Sequence, residues 1–333
     1  MSQPTLPNIE PTETAACSTA VSAMLSALAE KRFFKLISGG SLTETEKIAH
    51  LARAYAMAGA DCLDLAPDLQ VIQTVESVLQ ELPPPHPVIM ISLPLDPDPH
   101  FRKIELDEPA CIQCGLCLPA CPTEAITLPE VLEISQSLCY GCGRCVPTCP
   151  TEALSLLPFQ VESQMEAALS HPLVEAVEIH SHYVDPYMLA TFLEYWRPLL
   201  HNKLISLCFR IDNLPPEQIL EFYQVAARFS PLPVMLQVDG APMSGNDDPA
   251  ASRPALEAAG QVMGMFQEHG VPLPPVTISG GINRHTATLL QDAPCQEIAG
   301  AGMGTVARKT IWNLESSAAI ETATELVAEF KAR

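Results

Sequence analysis

The stretches CIQCGLCLPACP (111–122) and CYGCGRCVPTCP (139–150) share one spacing, C-x2-C-x2-C-x3-C-P. Two-residue gaps let one tight loop place three thiolates around a cube of iron and sulfide. The fourth cysteine, on the following helix, reaches the other cube. The spacing therefore predicts two [4Fe–4S] clusters, each ligated by both stretches. The predicted ligands are Cys111, Cys114, Cys117 and Cys149 for one cluster, and Cys139, Cys142, Cys145 and Cys121 for the other.

Disulfides and zinc are the alternative interpretations of this cysteine content. Disulfides are disfavoured in a cytoplasmic chain, and zinc sites usually pair C-x-x-C units at longer separation, without a third cysteine or a trailing C-P. The four cysteines outside the two arrays have no such pattern, and their apolar surroundings predict buried core thiols. These four are Cys17, Cys62, Cys208 and Cys295.

Short apolar segments flank the two arrays and predict the strands of a small domain. They are Phe101–Leu106, Ala125–Leu128, Leu132–Ser135 and Ala153–Leu157. Together with the arrays, residues 101–157 resemble the bacterial two-cluster ferredoxins.

Outside this ferredoxin segment, apolar runs rich in β-branched residues alternate with segments of helical period, which is typical of βα units on a parallel sheet. Eight strands are predicted: Phe33–Ser38, Asp61–Ala66, Pro87–Leu93, Ala176–Ser181, Leu204–Ile211, Val234–Asp239, Pro275–Ser279 and Glu297–Ala301. The roughly 270 residues outside the segment suit a (β/α)8 TIM-like barrel of about 250 residues. An open doubly wound sheet is the alternative, because periodicity does not show closure.

The ferredoxin segment begins shortly after the third predicted strand, so it replaces a βα loop. Such loops surround the open end of a barrel, where the clusters are then expected to lie. The predicted organisation is a flexible tail (1–14), a first part of the barrel (15–100), the ferredoxin domain (101–157) and a second part of the barrel (158–333).

Glycines near the last two predicted strands suggest a ligand site at this mouth. They occur in Gly-Gly-Ile (280–282) and in a Gly-x-Gly-x-Gly-Thr run (300–305) followed by Ala-Arg. These motifs resemble the phosphate grip of flavin and phosphosugar barrels, which implies FMN or a phosphorylated ligand bound by backbone amides. The alternative is that the glycines only permit tight turns. The candidate residues are Gly280, Gly281, Gly302 and Gly304.

Polar residues at the predicted strand ends are further candidates for the mouth: Asp64, His180, His182, Asp212, Asp239 and Asn283. His180 and His182 share a strand face and could form a metal or acid/base pair, although one core and one rim histidine is the preferred interpretation. Lys35, on the first strand, is interpreted as a partner for buried charge rather than as an amine nucleophile. No catalytic residue is assigned.

The composition limits the classes of partner. The chain of 333 residues carries 18 Lys and Arg against 39 Asp and Glu, a formal net charge of −21. Such a surface repels phosphate backbones, so nucleic-acid binding is not expected. The most apolar N-terminal stretch, 15–29, is too short to span a bilayer, and no basic residue precedes it as in a secretory signal. A cytoplasmic location is expected.

The twin arrays within an acidic α/β chain, with ISGGI (278–282) and GAGMGTVAR (300–308), resemble the LdpA family, the light-dependent-period proteins of cyanobacteria. The resemblance implies an iron–sulfur protein that conveys cellular, light-dependent redox state to the circadian clock and associates with clock proteins. Two other functions stay open: a ferredoxin-fused barrel oxidoreductase, with a redox donor or quinone as partner, and an electron carrier. A carrier leaves the barrel unexplained and is ranked last, and a sensor is preferred over a turnover enzyme.

Overall fold

The computed structural model describes residues 17–98, 100–159, 162–181, 183–211, 214–240, 247–292 and 295–332. The predicted tail, residues 1–14, and the candidates His182 and Asp212 lie outside the described residues. Among the residues described, no helix is long and apolar enough to cross a membrane.

Eight parallel strands form a closed barrel in the order β1-β12-β11-β10-β9-β8-β3-β2. Their bounds are β1 Phe33–Ile37, β2 Cys62–Leu65, β3 Val88–Pro94, β8 Val174–Ser181, β9 Leu204–Phe209, β10 Met235–Asp239, β11 Val276–Ser279 and β12 Gly300–Met303. The predicted barrel is confirmed, and the open-sheet alternative is wrong because β1 and β12 pair directly, from Phe33 opposite Gly300 onward. Nearly every strand residue is buried, as expected for strands covered on both faces.

Helices surround the barrel and bury their apolar faces against the strands. Their bounds are α1 Thr19–Ala29, α2 Thr45–Met57, α3 Leu69–Gln80, α4 Glu162–Leu169, α5 Pro186–Tyr195, α6 Arg197–Leu200, α7 Pro216–Phe229, α8 Arg253–Glu268, α9 Thr286–Leu289, α10 Thr305–Ile311 and α11 Ser316–Lys331. Helix α1 closes the end of the barrel opposite the mouth. Its residues Val21, Met24 and Leu28 pack on the first residues of several strands.

The ferredoxin segment is inserted after β3, as predicted. Its strands are β4 Arg102–Leu106, β5 Ile126–Thr127, β6 Glu133–Ile134 and β7 Leu154–Pro158. β4 and β7 pair antiparallel, with Arg102 opposite Pro158, so the chain enters and leaves the segment at neighbouring points. β3 and β8 pair with each other in the barrel, which therefore continues past the insertion without a gap.

The last barrel strand differs from its predicted position. The prediction began it at Glu297, but Cys295–Glu297 forms a 3-10 turn and β12 begins at Gly300. Gly300 is fixed there because a Cβ would lie 2.2 Å from the carbonyl oxygen of Phe33 on β1. Gly302 consequently lies inside a strand and not, as predicted, in the following loop.

Candidate functional site

All twelve cysteines lie among the described residues and all are free thiols. Eight of them line two small cavities in the ferredoxin segment. Cys111, Cys114, Cys117 and Cys149 line a cavity of about 310 Å³, called the first thiol cavity. Cys121, Cys139, Cys142 and Cys145 line one of about 330 Å³, called the second thiol cavity. In each cavity, three thiols come from one array and the fourth comes from the other.

The two cavities are built alike. Cys121 Sγ accepts the N–H of Ala125 at 3.3 Å, and Cys149 Sγ accepts the N–H of Ala153 at 3.2 Å. The loops between the thiols turn at left-handed positions, with φ of +71° at Gly115. Apolar side chains complete both walls, so the thiols face an environment with few competing polar groups.

The electrostatics of the cavities favour a cationic centre. Burial and, after it, the repulsion between neighbouring thiolates raise the pKa of Cys145 to about 12. Iron supplies the positive charge that would deprotonate such a set. Four converging thiols in a cavity with apolar walls therefore fit an iron–sulfur cluster.

The second thiol cavity adjoins the mouth of the barrel. Tyr140 lines both the thiol cavity and a mouth cavity of about 790 Å³, which includes space open to solvent. The guanidinium of Arg308 lies 4.4 Å from the centre of the Tyr140 ring and donates to Ile37 O at 2.7 Å. Phe101, at the start of the segment, packs edge-on against His180, with ring centres 5.4 Å apart. The segment thus covers the mouth directly.

The four candidate glycines do not form one loop. Gly280 and Gly281 turn after β11 at φ of +73° and +75°, and Gly304 precedes α10. All four candidates, Gly302 included, line the mouth cavity. Gly302 points into the barrel interior, where a Cβ would lie 3.0 Å from the side-chain oxygen of Gln237.

The polar candidates divide between the mouth and other places. His180 and Asp239 line the mouth cavity, and burial raises the pKa of Asp239. Asp64 is buried deeper, where it accepts the Ser92 hydroxyl at 2.7 Å. Asn283 is also buried, and its side-chain nitrogen donates to Asp248 O at 2.8 Å, which is a structural role in the loop.

Sequence reasoning missed the buried charge inside the barrel. Glu178, on β8, forms an ion pair with Lys35, and Asp64 Oδ2 lies 3.6 Å from the same Nζ. Burial opposes the charge on Lys35, but the two carboxylates outweigh it and raise the lysine pKa. Lys35 is therefore held as a cation, which agrees with its interpretation as a partner for buried charge. The available signal was Glu178 itself, a carboxylate two residues before His180 in a mostly apolar strand.

The remaining cysteines do not share one environment. Cys62 and Cys208 are buried, as predicted, and Cys295 is half-buried. Cys17 is exposed, so its assignment to the core is wrong: it precedes α1, at the edge of the packed region.

Comparison with known proteins identifies both parts of the chain. Residues 110–153 match the model of the 4Fe-4S dicluster domain, and residues 168–331 match that of the Light dependent period A C-terminal domain. Light dependent period A of Synechococcus elongatus is 33% identical over 311 residues, covering 87% of this chain and 84% of that protein.

Solved structures share the barrel at much lower identity. The (S)-3-O-geranylgeranylglyceryl phosphate synthase of Thermoplasma acidophilum is 12% identical, with a TM-score of 0.50 over 96% of this chain and 100% of its own. The tryptophan synthase alpha chain of Legionella pneumophila is also 12% identical, with a TM-score of 0.48 over 95% and 97%. The first of these likenesses concerns the fold alone. With its dicluster domain inserted after the third strand of a closed barrel, the chain belongs to the Light dependent period A family of iron–sulfur proteins.

Proposed function

We propose that the eight thiols ligate two [4Fe–4S] clusters, one in each thiol cavity, and that the protein is a sensor of cellular redox state acting on the circadian clock. Cys111, Cys114, Cys117 and Cys149 hold one cluster, and Cys121, Cys139, Cys142 and Cys145 hold the other. Residues 101–157 act as the cofactor unit, carried by a barrel made of 15–100 and 158–333. The link to the clock rests on membership of the family.

One observation carries the sensing role: Tyr140 is shared by the second thiol cavity and the mouth cavity. A change in charge at a cluster in that cavity acts on the Tyr140 ring and on the Arg308 guanidinium stacked upon it. Arg308 in turn donates to the backbone at the end of β1, so the βα loops of the mouth respond to the cluster. The mouth rim is the surface that meets a clock protein in the cytoplasm.

A barrel oxidoreductase that uses FMN or a phosphorylated ligand is the second candidate. The observation in its favour is the mouth cavity itself, since Gly280, Gly281 and Gly304 line it beside Tyr140. Clusters there would exchange electrons with a redox donor or quinone through that ligand. Arg308, the buried cation of the site, already bonds Ile37 O and Thr305 Oγ1, which leaves it less available for phosphate.

The deciding experiment is anaerobic purification of the full chain, with iron, sulfide and flavin quantified together and EPR recorded during a redox titration. Hydrogen exchange is then compared between the oxidised and the reduced protein. The sensor predicts two tetranuclear clusters, no flavin, and redox-dependent protection of the segments around Tyr140 and Arg308. Stoichiometric FMN would support the oxidoreductase instead of the sensor, and absence of clusters would refute both proposals.

A cellular test addresses the clock. In a cyanobacterium lacking its own family member, the wild-type chain is expected to restore the dependence of period on light intensity. A chain with Cys139→Ala, which removes a ligand from the second cavity, is expected not to restore it. Cys295→Ala, a half-buried cysteine outside both cavities, is the matched control. Equal restoration by all three chains would refute the sensing role.

A further inference from the structure

Three side chains with different metal-binding atoms meet inside the barrel, at the wall of the mouth cavity. Glu178 and His180 lie two residues apart on β8, so both point inward. Cys208 is the register partner of His180 on β9. One ligand atom from each of the three lies within 4.8 Å of the other two, and all three residues are buried. None of them belongs to the ferredoxin segment.

The spacing suits a tetrahedral ion. Bonds of about 2.0–2.1 Å from a metal to nitrogen and oxygen place those ligand atoms about 3.3 Å apart, and a sulfur at about 2.3 Å lies slightly farther from each. His180 Nε2 and Glu178 Oε1 are 3.2 Å apart. The nitrogen and oxygen atoms therefore have the spacing that an ion requires, and Cys208 Sγ lies within 4.8 Å of both residues' ligand atoms.

A second layer of contacts orients these ligands. His180 Nδ1 faces Asp98 Oδ2 at 3.9 Å, which leaves Nε2 directed at the other two groups. Glu178 Oε2 accepts the Ser206 hydroxyl at 3.0 Å and pairs with Lys35. Gln237 Nε2 lies 2.7 Å from Glu178 Oε1 and 3.5 Å from Cys208 Sγ. Carboxylates behind histidines and hydrogen bonds to ligating carboxylates are the usual supports of protein metal sites.

Carboxylates flank the His180 ring on both sides. Glu178 Oε1 lies 3.2 Å from Nε2, and Asp98 Oδ2 lies 3.9 Å from Nδ1. A divalent cation placed among nitrogen, oxygen and sulfur would lie beside the Glu178 carboxylate, and the opposite charges attract.

We propose that Glu178, His180 and Cys208 bind one zinc ion, with a fourth coordination position open to the mouth cavity. A mixed nitrogen, oxygen and sulfur set matches the borderline softness of Zn²⁺. Zinc binds the thiolate of Cys208 and the unprotonated Nε2 of His180, so protons on these two atoms are released to water as the ion enters. The open position holds water or a small ligand with an oxygen or sulfur donor.

The test uses the full chain with its iron, purified anaerobically, incubated with Zn²⁺ and freed of excess by gel filtration. One zinc per chain is expected, in addition to unchanged iron and sulfide. Zinc K-edge absorption should show one sulfur at about 2.3 Å and nitrogen or oxygen neighbours at about 2.0 Å. Because the spectrum of the wild-type protein reports the ligand set, this part of the test depends on no variant.

Two variants and a control assign the site. Cys208→Ser and His180→Gln should each retain less than about a tenth of the zinc while keeping their iron. Cys62→Ser replaces a buried thiol on β2 outside the triad and should retain all of it. Failure of the wild type to retain zinc would overturn the proposal. So would zinc with four sulfur neighbours, which would place it among the ferredoxin cysteines, or undiminished zinc in both triad variants.

Discussion

Pairs of cysteine substitutions distinguish crossed ligation from ligation within each array. The same-cavity pair, Cys117→Ala with Cys149→Ala, removes two thiols from the first thiol cavity and none from the second. The same-array pair, Cys145→Ala with Cys149→Ala, removes one thiol from each cavity. If each cluster needs all four thiols of its cavity, the number of intact clusters after each pair follows from the geometry.

The same-cavity pair should keep one intact [4Fe–4S] cluster, or about four of the eight irons in tetranuclear form. The same-array pair should keep none, because each cavity then holds only three thiols. Ligation within each array predicts the reverse: the same-array pair would leave the first array complete, and the same-cavity pair would damage both arrays. The two schemes therefore give opposite orders for the same two proteins.

The assay is spin quantification of the reduced [4Fe–4S] EPR signal per chain, with total iron and sulfide measured on the same sample. Partial loss of iron to a three-iron form does not disturb the result, because that form has a different signal. Cys295→Ala should keep both clusters and controls for the loss of a non-ligand cysteine. More intact clusters in the same-array pair than in the same-cavity pair would refute crossed ligation.

Two further predictions concern the glycine turns and the buried carboxylate. Gly141→Ala adds a Cβ 2.1 Å from the Arg102 carbonyl oxygen. Gly115→Ala meets side-chain atoms alone, the nearest being Leu128 Cδ2 at 3.4 Å, and both glycines have positive φ. Both changes should cost about 1–2 kcal/mol of backbone strain. Only Gly141→Ala should also displace β4 and lower the iron content of the protein. Equal iron content in the two variants would contradict this prediction. Burial raises the pKa of Asp64 to about 6, against the opposing charge of Lys35, so the folded protein holds this proton more tightly than the unfolded chain does. Asp64 should therefore make the free energy of unfolding fall as pH rises from about 4 to about 6. In urea titrations at a series of pH values, Asp64→Asn should show a smaller fall than the wild type. An identical dependence on pH in the two proteins would contradict this prediction.

The parts of the fold that the sequence predicts well are those specified by neighbouring residues. The cysteine spacing is local, and so are the continuous apolar runs, which place β1, β9 and β10 within two residues of their observed ends. Closure was inferred from the number of strands and confirmed by the pairing of β1 with β12.

The features that escaped prediction depend on residues far apart in the chain. Thr43 has the spacing of a helix cap with Glu46, yet the N-cap of α2 is Glu44. The N–H of Thr43 donates instead to Ser137 O of the ferredoxin segment, at 3.0 Å. The packing of α1 against one end of the barrel cannot be predicted from its own residues, because it depends on the ends of several strands lying together. Lys35 and Glu178 likewise meet across the closed barrel, so neither strand alone predicts the pair.

The position of the ferredoxin segment sets an order of events during synthesis. The strands that bound it, β4 and β7, pair within one stretch of chain, and all eight thiols of the two cavities lie between them. β1 cannot pair with β12 until the ribosome has made β12, which begins more than a hundred residues after β7. The complete set of thiols is therefore available to receive metal before the barrel can close. Most residues of the mouth cavity, from Glu178 to Arg308, are therefore made after the segment that they adjoin.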